Sequence, residues 1–137
     1  MTTTPGSPGA GVSRWVLRAG YLMSAIPVLM LLFSAVLKFL KPPAVIEGFT
    51  RLGLPGDLIL GLGILETACT VVYLIPKLAV LGAILLTGYL GGATLTHLRV
   101  GDPFIAPVAL GVLVWGGLFL REPRLRALIP LRRGGVR

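Results

Sequence analysis

The chain has 137 residues, of which 55% are hydrophobic and 13% charged, and its formal net charge is +8. A soluble domain carries about 25% charged residues, so this composition argues against an ordinary water-soluble globule. The basic residues sit at the edges of long apolar runs, which points to membrane orientation rather than a nucleic-acid partner.

Residues 1–13 are rich in Thr, Gly, Pro and Ser and read as a disordered tail. Arg14 and Arg18 then precede Ala19–Leu37, a run of 19 residues without a charge. Such a run exceeds the core of a cleavable signal peptide, and no small-x-small cleavage site follows before Lys38, so it reads as a retained anchor. Trp15 and Tyr21 suit the interfacial aromatic belt. Pro27 predicts a kink, and Pro42-Pro43 ends the span.

Between Pro43 and Gly56 lies the one sizeable loop. Val45, Phe49 and Leu52 recur there at helical spacing, with Glu47 and Arg51 polar, so the stretch predicts a short amphipathic helix at the outer interface. Gly53 and Pro55 stop it. The second span follows, and Asp57 is placed to cap its N-terminus. Leu58–Pro76 is 19 residues whose only charge is Glu66. An ionisable group at that depth is expensive and marks a candidate functional position. Gly63, Glu66, Thr70 and Tyr73 share one helix face, which should point inward with Gly63 allowing close approach of a neighbour.

Pro76-Lys77 is a tight turn, so the second and third spans must be antiparallel neighbours. Leu78–Thr96 is the third uncharged run, again of 19 residues. It carries Gly88-x-x-x-Gly92 and Gly91, a small-residue pattern expected to serve packing within the bundle. The fourth run, Pro103–Leu120, has 18 residues and ends at Arg121-Glu122-Pro123. Runs of about 20 apolar residues cross ~30 Å of hydrocarbon, so four transmembrane helices are expected. The predicted fold is therefore all-α: an integral membrane four-helix bundle over residues 14–122, with a short interfacial helix between helices 1 and 2. Residues 123–137 form a basic tail. With both termini on one side, that side holds nine basic residues and the other four, which predicts cytoplasmic termini. The segment LGIL at Leu62–Leu65 loosely matches LGVL at Leu110–Leu113, a near-chance repeat.

Cys69 is the only cysteine, so no intrachain disulfide or C-x-x-C redox pair exists. His97 has no second His or Cys nearby, and no metal is expected. In this topology Lys38, His97, Arg99 and Asp102 gather at the outer boundary. Glu66, about 14 Å into its helix, and Tyr89, about 12 Å below His97, come level. Two readings stay open. In one, Glu66 bonds to Tyr89 or a backbone carbonyl and locks the bundle. In the other, Glu66 floors an outward-opening pocket with Lys38 and His97 near its mouth, fit for a polar headgroup, a quinone ring or a proton.

The run GYLGGATLTHLRVGDP from Gly88 to Pro103 resembles the third-helix signature of DoxX-like membrane proteins. SAVLK at Ser34–Lys38, GILE at Gly63–Glu66 and LGLP at Leu52–Pro55 resemble other parts of the pattern, so the likeness spans about Ala19–Leu120. It implies a four-helix bundle in the bacterial cytoplasmic membrane. The family takes its name from a subunit associated with quinone-linked oxidoreductases, and most members have no assigned reaction. Lys38, Glu66, His97, Arg99 and Asp102 match its polar positions. The expected function is an accessory subunit or small lipid- or quinone-binding module, with Glu66, Tyr89, Lys38, His97, Arg99, Asp102 and Thr70 as pocket candidates. The competing expectation is a subunit of a quinone-linked oxidoreductase that uses Glu66 and His97 for proton transfer. No cofactor motif of its own is present, so a bound quinone or partner oxidoreductase subunits would supply any redox chemistry. A homo-oligomer fits the glycine pattern, and a small transporter is a weaker third class.

Overall fold

The computed structural model describes residues 12–129. Most of the expected disordered tail and the end of the basic tail, 130–137, lie outside the described residues. Those described form α1 (Arg14–Leu40), α2 (Pro43–Arg51), α3 (Leu58–Leu74), a 3₁₀ turn (Pro76–Leu78), α4 (Ala79–Arg99), α5 (Ile105–Arg121) and α6 (Pro123–Leu128), with no strand among them. α1 stays helical on both sides of Pro27. The start of the basic tail is helical too, and its Leu125 is buried.

Two stretches, Arg14–Leu40 and Pro76–Arg99, are long and apolar enough to cross a bilayer. α3 and α5 are equally apolar but have 17 residues each, so two helices rather than four reach full spanning length. At 1.5 Å per residue such a helix is about 26 Å long. The outward faces nevertheless match lipid on all of them. Leu22, Leu29, Phe33, Ile64, Ile84 and Val112 are all more than half exposed. A patch of that kind would be a liability in water and is the ordinary surface of a helix in hydrocarbon.

Short connections force α3, α4 and α5 to run antiparallel in succession. α1 packs against α3 and α5, and α4 packs against the same two. The packing is uneven along the axis. Near the start of α1 the helices touch backbone to side chain. A Cβ at Gly82 would collide with the Tyr73 backbone, and one at Gly117 would collide with Ser24. The core there is built from Leu31, Tyr73, Ala83, Leu86, Val114 and Leu118, all nearly inaccessible. Toward the other end the contacts loosen. Gly88, Gly91 and Gly92 have nothing within 4 Å of where a Cβ would stand. The expected role of Gly88-x-x-x-Gly92 in intrachain packing is therefore overturned: the close approaches fall to Gly82 and Gly117 instead. We call the tight end sealed and the loose end open.

Asp57 also departs from expectation. It occupies the N-cap of α3 but makes no side-chain capping bond. Its backbone is helical, φ −69° and ψ −22°, whereas a capping side chain works from an extended backbone.

The glycine assignment predicts a contrast in stability. Gly82→Ala should destabilise by about 1–3 kcal/mol through overpacking. Gly91→Ala should be neutral or stabilise by up to about 1 kcal/mol, because Ala is the better helix former. Denaturant unfolding of the purified protein in detergent checks both, and equal effects would refute the assignment.

Candidate functional site

The open end is organised by one helix crossing. Gly63 brings α3 so close to α1 that a Cβ there would stand 3.1 Å from the Lys38 Cβ and 3.3 Å from the Phe39 ring. Glu66 lies three residues further along the same face. Lys38 reaches across the crossing and its Nζ meets Glu66 Oε2 at 2.8 Å. The ammonium also donates to the Ser34 hydroxyl at 2.5 Å, one turn back on α1. Their side chains are 12% and 3% exposed, so this is a nearly dry ion pair. An ammonium carries three hydrogens, and two are engaged.

The pair borders a cavity of about 760 Å³. Lys38, Glu66, Tyr89 and His97 all line it, along with Gly88 and Gly92, whose missing side chains leave it room. Its walls are otherwise mostly Leu, Phe, Met and Val. Such a container, apolar with a few converging polar groups, has the form and size of a small-molecule site. Tyr89 lies near enough to Glu66 to sense its charge. The closest partner of the carboxylate is Lys38, whose stem is long enough to bend down from α1. His97 Nδ1 sits 2.8 Å from the Ala93 carbonyl. A carbonyl only accepts, so Nδ1 carries the proton, and in a neutral ring Nε2 is left as a bare acceptor.

The roof is α2. Its apolar residues Val45 and Phe49, and Leu52 just after it, all expected to face the interface, line the cavity. The chain turns into and out of the roof through two left-handed residues, Lys41 at φ 48° and Gly53 at φ 69°. Two polar ties hold the roof to the turn after α4. Arg51 Nε meets Asp102 Oδ2 at 3.1 Å, and Arg99 Nη2 donates to the Leu52 carbonyl at 2.8 Å. Arg99 and Asp102 therefore do not line the cavity; they fasten its cover. Thr70 does not line it either. It is fully buried below, donating from Oγ1 to the Glu66 carbonyl at 2.8 Å.

The sealed end stops the cavity. Tyr73 is completely buried, and its hydroxyl donates to the Val114 carbonyl at 2.8 Å and lies 3.0 Å from the Ser24 hydroxyl. This ties α3 to α1 and α5 together. The sequence placed Tyr73 on the Glu66 face but held no sign of its partners. Ser24 and Ser34 carried no motif, and their roles depend on which helices become neighbours. Among the described residues no group of three His, Cys, Asp or Glu side chains is placed to hold a metal ion.

A family model described as the DoxX-like family matches residues 22–117. No curated protein and no solved structure gives a match.

The roof predicts a charge-swap result. The Arg51 side chain is 71% exposed, and an ion pair that open is worth roughly 0–1 kcal/mol, so the cover is lightly held. In a Cys69→Ser background, a cysteine at Ala93 should react faster with a water-soluble thiol reagent after Arg51→Glu. Adding Asp102→Arg should restore the slower rate. An unchanged rate in the Arg51→Glu variant would show that the tie does not hold the roof.

Proposed function

The chain belongs to the DoxX-like family and is a membrane protein, and from that premise we propose that it is a small ligand-binding module of the membrane. In this reading α1, α3, α4 and α5 form a four-helix bundle across the bilayer. At 17 residues α3 and α5 stand at the lower end of the spanning range, and their outward apolar faces support their inclusion. The distribution of basic residues, nine against four, supports cytoplasmic termini at the sealed end and α2 at the outer surface.

One observation carries the reading. The Lys38–Glu66 pair is 2.8 Å long, shielded from solvent, and opens onto the cavity with bonding capacity to spare. A pair needed only to lock two helices would have no use for an adjoining void. The free Lys38 hydrogen and the Tyr89 hydroxyl suit an acceptor on a ligand, and the bare His97 Nε2 suits a donor. A ring with oxygens on both sides and an apolar tail, such as a quinone or quinol, meets all of them. The sealed end supports binding over transport, because the Tyr73, Ser24 and Val114 contacts leave no continuation of the cavity.

A second reading has the module serve a quinone-linked oxidoreductase, with Glu66 and His97 relaying protons. The Nδ1 bond of His97 favours it, since it leaves Nε2 as the acceptor of a ring that lines the cavity. No redox group belongs to the chain, so a partner would supply the electrons.

Purification in mild detergent followed by lipid and small-molecule mass spectrometry tests the proposal. The wild type should retain a stoichiometric ring-bearing amphiphile. A hydrogen bond to a charged group is worth about 1.5–3 kcal/mol, so Glu66→Gln should reduce retention by about tenfold or more with helix content unchanged. An empty wild-type protein, or an equally loaded Glu66→Gln variant, would overturn it.

A further inference from the structure

We propose that Arg121 is a binding post for the phosphate of an anionic phospholipid at the sealed end of the protein. The inference is independent of the cavity, which lies at the opposite end. It needs only that the sealed end meets a membrane surface.

Arg121 is the last residue of α5. Its guanidinium lies over two aromatic rings, 5.0 Å from the centroid of Tyr73 and 5.7 Å from that of Tyr21. At its root, α1 passes so near that a Cβ at Gly20 would stand 3.1 Å from the Arg121 Cβ. The charge is thus fixed in position. Arg14, Arg18 and Arg124 are exposed, whereas Arg121 is half-buried. The distribution of basic residues by topology explains why arginines sit at this boundary, but not why one is held between tyrosines.

The held guanidinium lacks an acceptor. Its Nε is buried and has no hydrogen-bond partner among the described residues, a rare condition for a buried donor. Among the described residues it has no ion-pair partner. Glu66 and Asp102 are engaged at the open end. The adjacent Glu122 turns away to accept from the Arg124 backbone N–H at 3.2 Å. The carbonyls that end α5 are also taken. Arg126 donates from Nε to Phe119 at 2.7 Å and from Nη2 to Leu120. Among the described residues, the outer edge of Arg121 is therefore an unclaimed pair of donors on a rigid, aromatic-backed cation. That edge matches a phosphate, which accepts two parallel bonds from a guanidinium fork. At a membrane surface rich in anionic lipid, the phosphodiester layer supplies the acceptor, and net negative charge favours it further.

The test uses the full chain, delipidated in detergent and titrated with phosphatidylglycerol or phosphatidylcholine of identical acyl chains. Native mass spectrometry counts the bound lipid. Wild type should retain phosphatidylglycerol about fivefold over phosphatidylcholine, whose choline cation offsets the phosphate charge that Arg121 would pair with. Arg121→Gln should abolish that preference, while Arg124→Gln should leave it intact. Should Arg121→Gln fail to fold, Arg121→Lys decides: it keeps the charge but not the fork, and retention should still fall several-fold. Equal binding of the two lipids, equal losses in the Arg121 and Arg124 variants, or full retention in Arg121→Lys would overturn the proposal. So would displacement of the lipid by millimolar inorganic phosphate, which would mark a free-phosphate site.

Discussion

A lysine and a glutamate facing each other in an apolar ring constrain everything around them. Neither charge is tolerable there alone, since an unpaired ion in a low-dielectric interior costs several kcal/mol after relaxation. The pair must be kept in register, and Gly63 does this by setting the distance between α1 and α3. Water must be limited but not wholly excluded, because the third Lys38 hydrogen needs an outlet. The cavity beneath α2 provides one, and α2 closes it with Phe49 and Leu52.

That arrangement depends on an asymmetry along the helices. At the sealed end, glycines bring backbones together and the Tyr73 hydroxyl bridges helices. At the open end, Gly63 still closes one crossing, but Gly88 and Gly92 leave room where they face the cavity. The same residue type thus makes contact at some crossings and space at others. Interhelical hydrogen bonds and close packing hold helices together in lipid, where the hydrophobic effect gives little drive. With one such crossing, at Gly63 and the Lys38–Glu66 pair, the other end can stay hollow.

The order of elements was legible in the sequence because charge-free runs and prolines report it directly. The helix over 43–51 followed from the spacing of Val45, Phe49 and Leu52, although which way its apolar face turns did not. Glu66 stood out by its cost. Its partner did not, since reach depends on the Gly63 crossing, and a lysine at a helix end reads equally well as snorkelling outward. Arg99 and Asp102 were legible as polar neighbours of the site. Their work of fastening α2 depends on a loop conformation set by Gly53 and Gly101, both at positive φ. The glycines misled because a small-residue motif has the same sequence whether it makes a contact or a void. Tyr73 was placed on the correct face, but its seal required knowing that α5 would present the Val114 carbonyl.

The central claim is that Lys38 and Glu66 act as one unit inside the protein, and a double-mutant cycle on stability tests it most directly. Lys38→Met alone should cost about 3–5 kcal/mol, because it strands a buried carboxylate, and Glu66→Leu should cost a similar amount. The double variant should recover most of that loss, since two apolar groups leave no charge unpaired. Additive losses in the double variant, with no recovery, would contradict the account and would mean that the two side chains meet different partners.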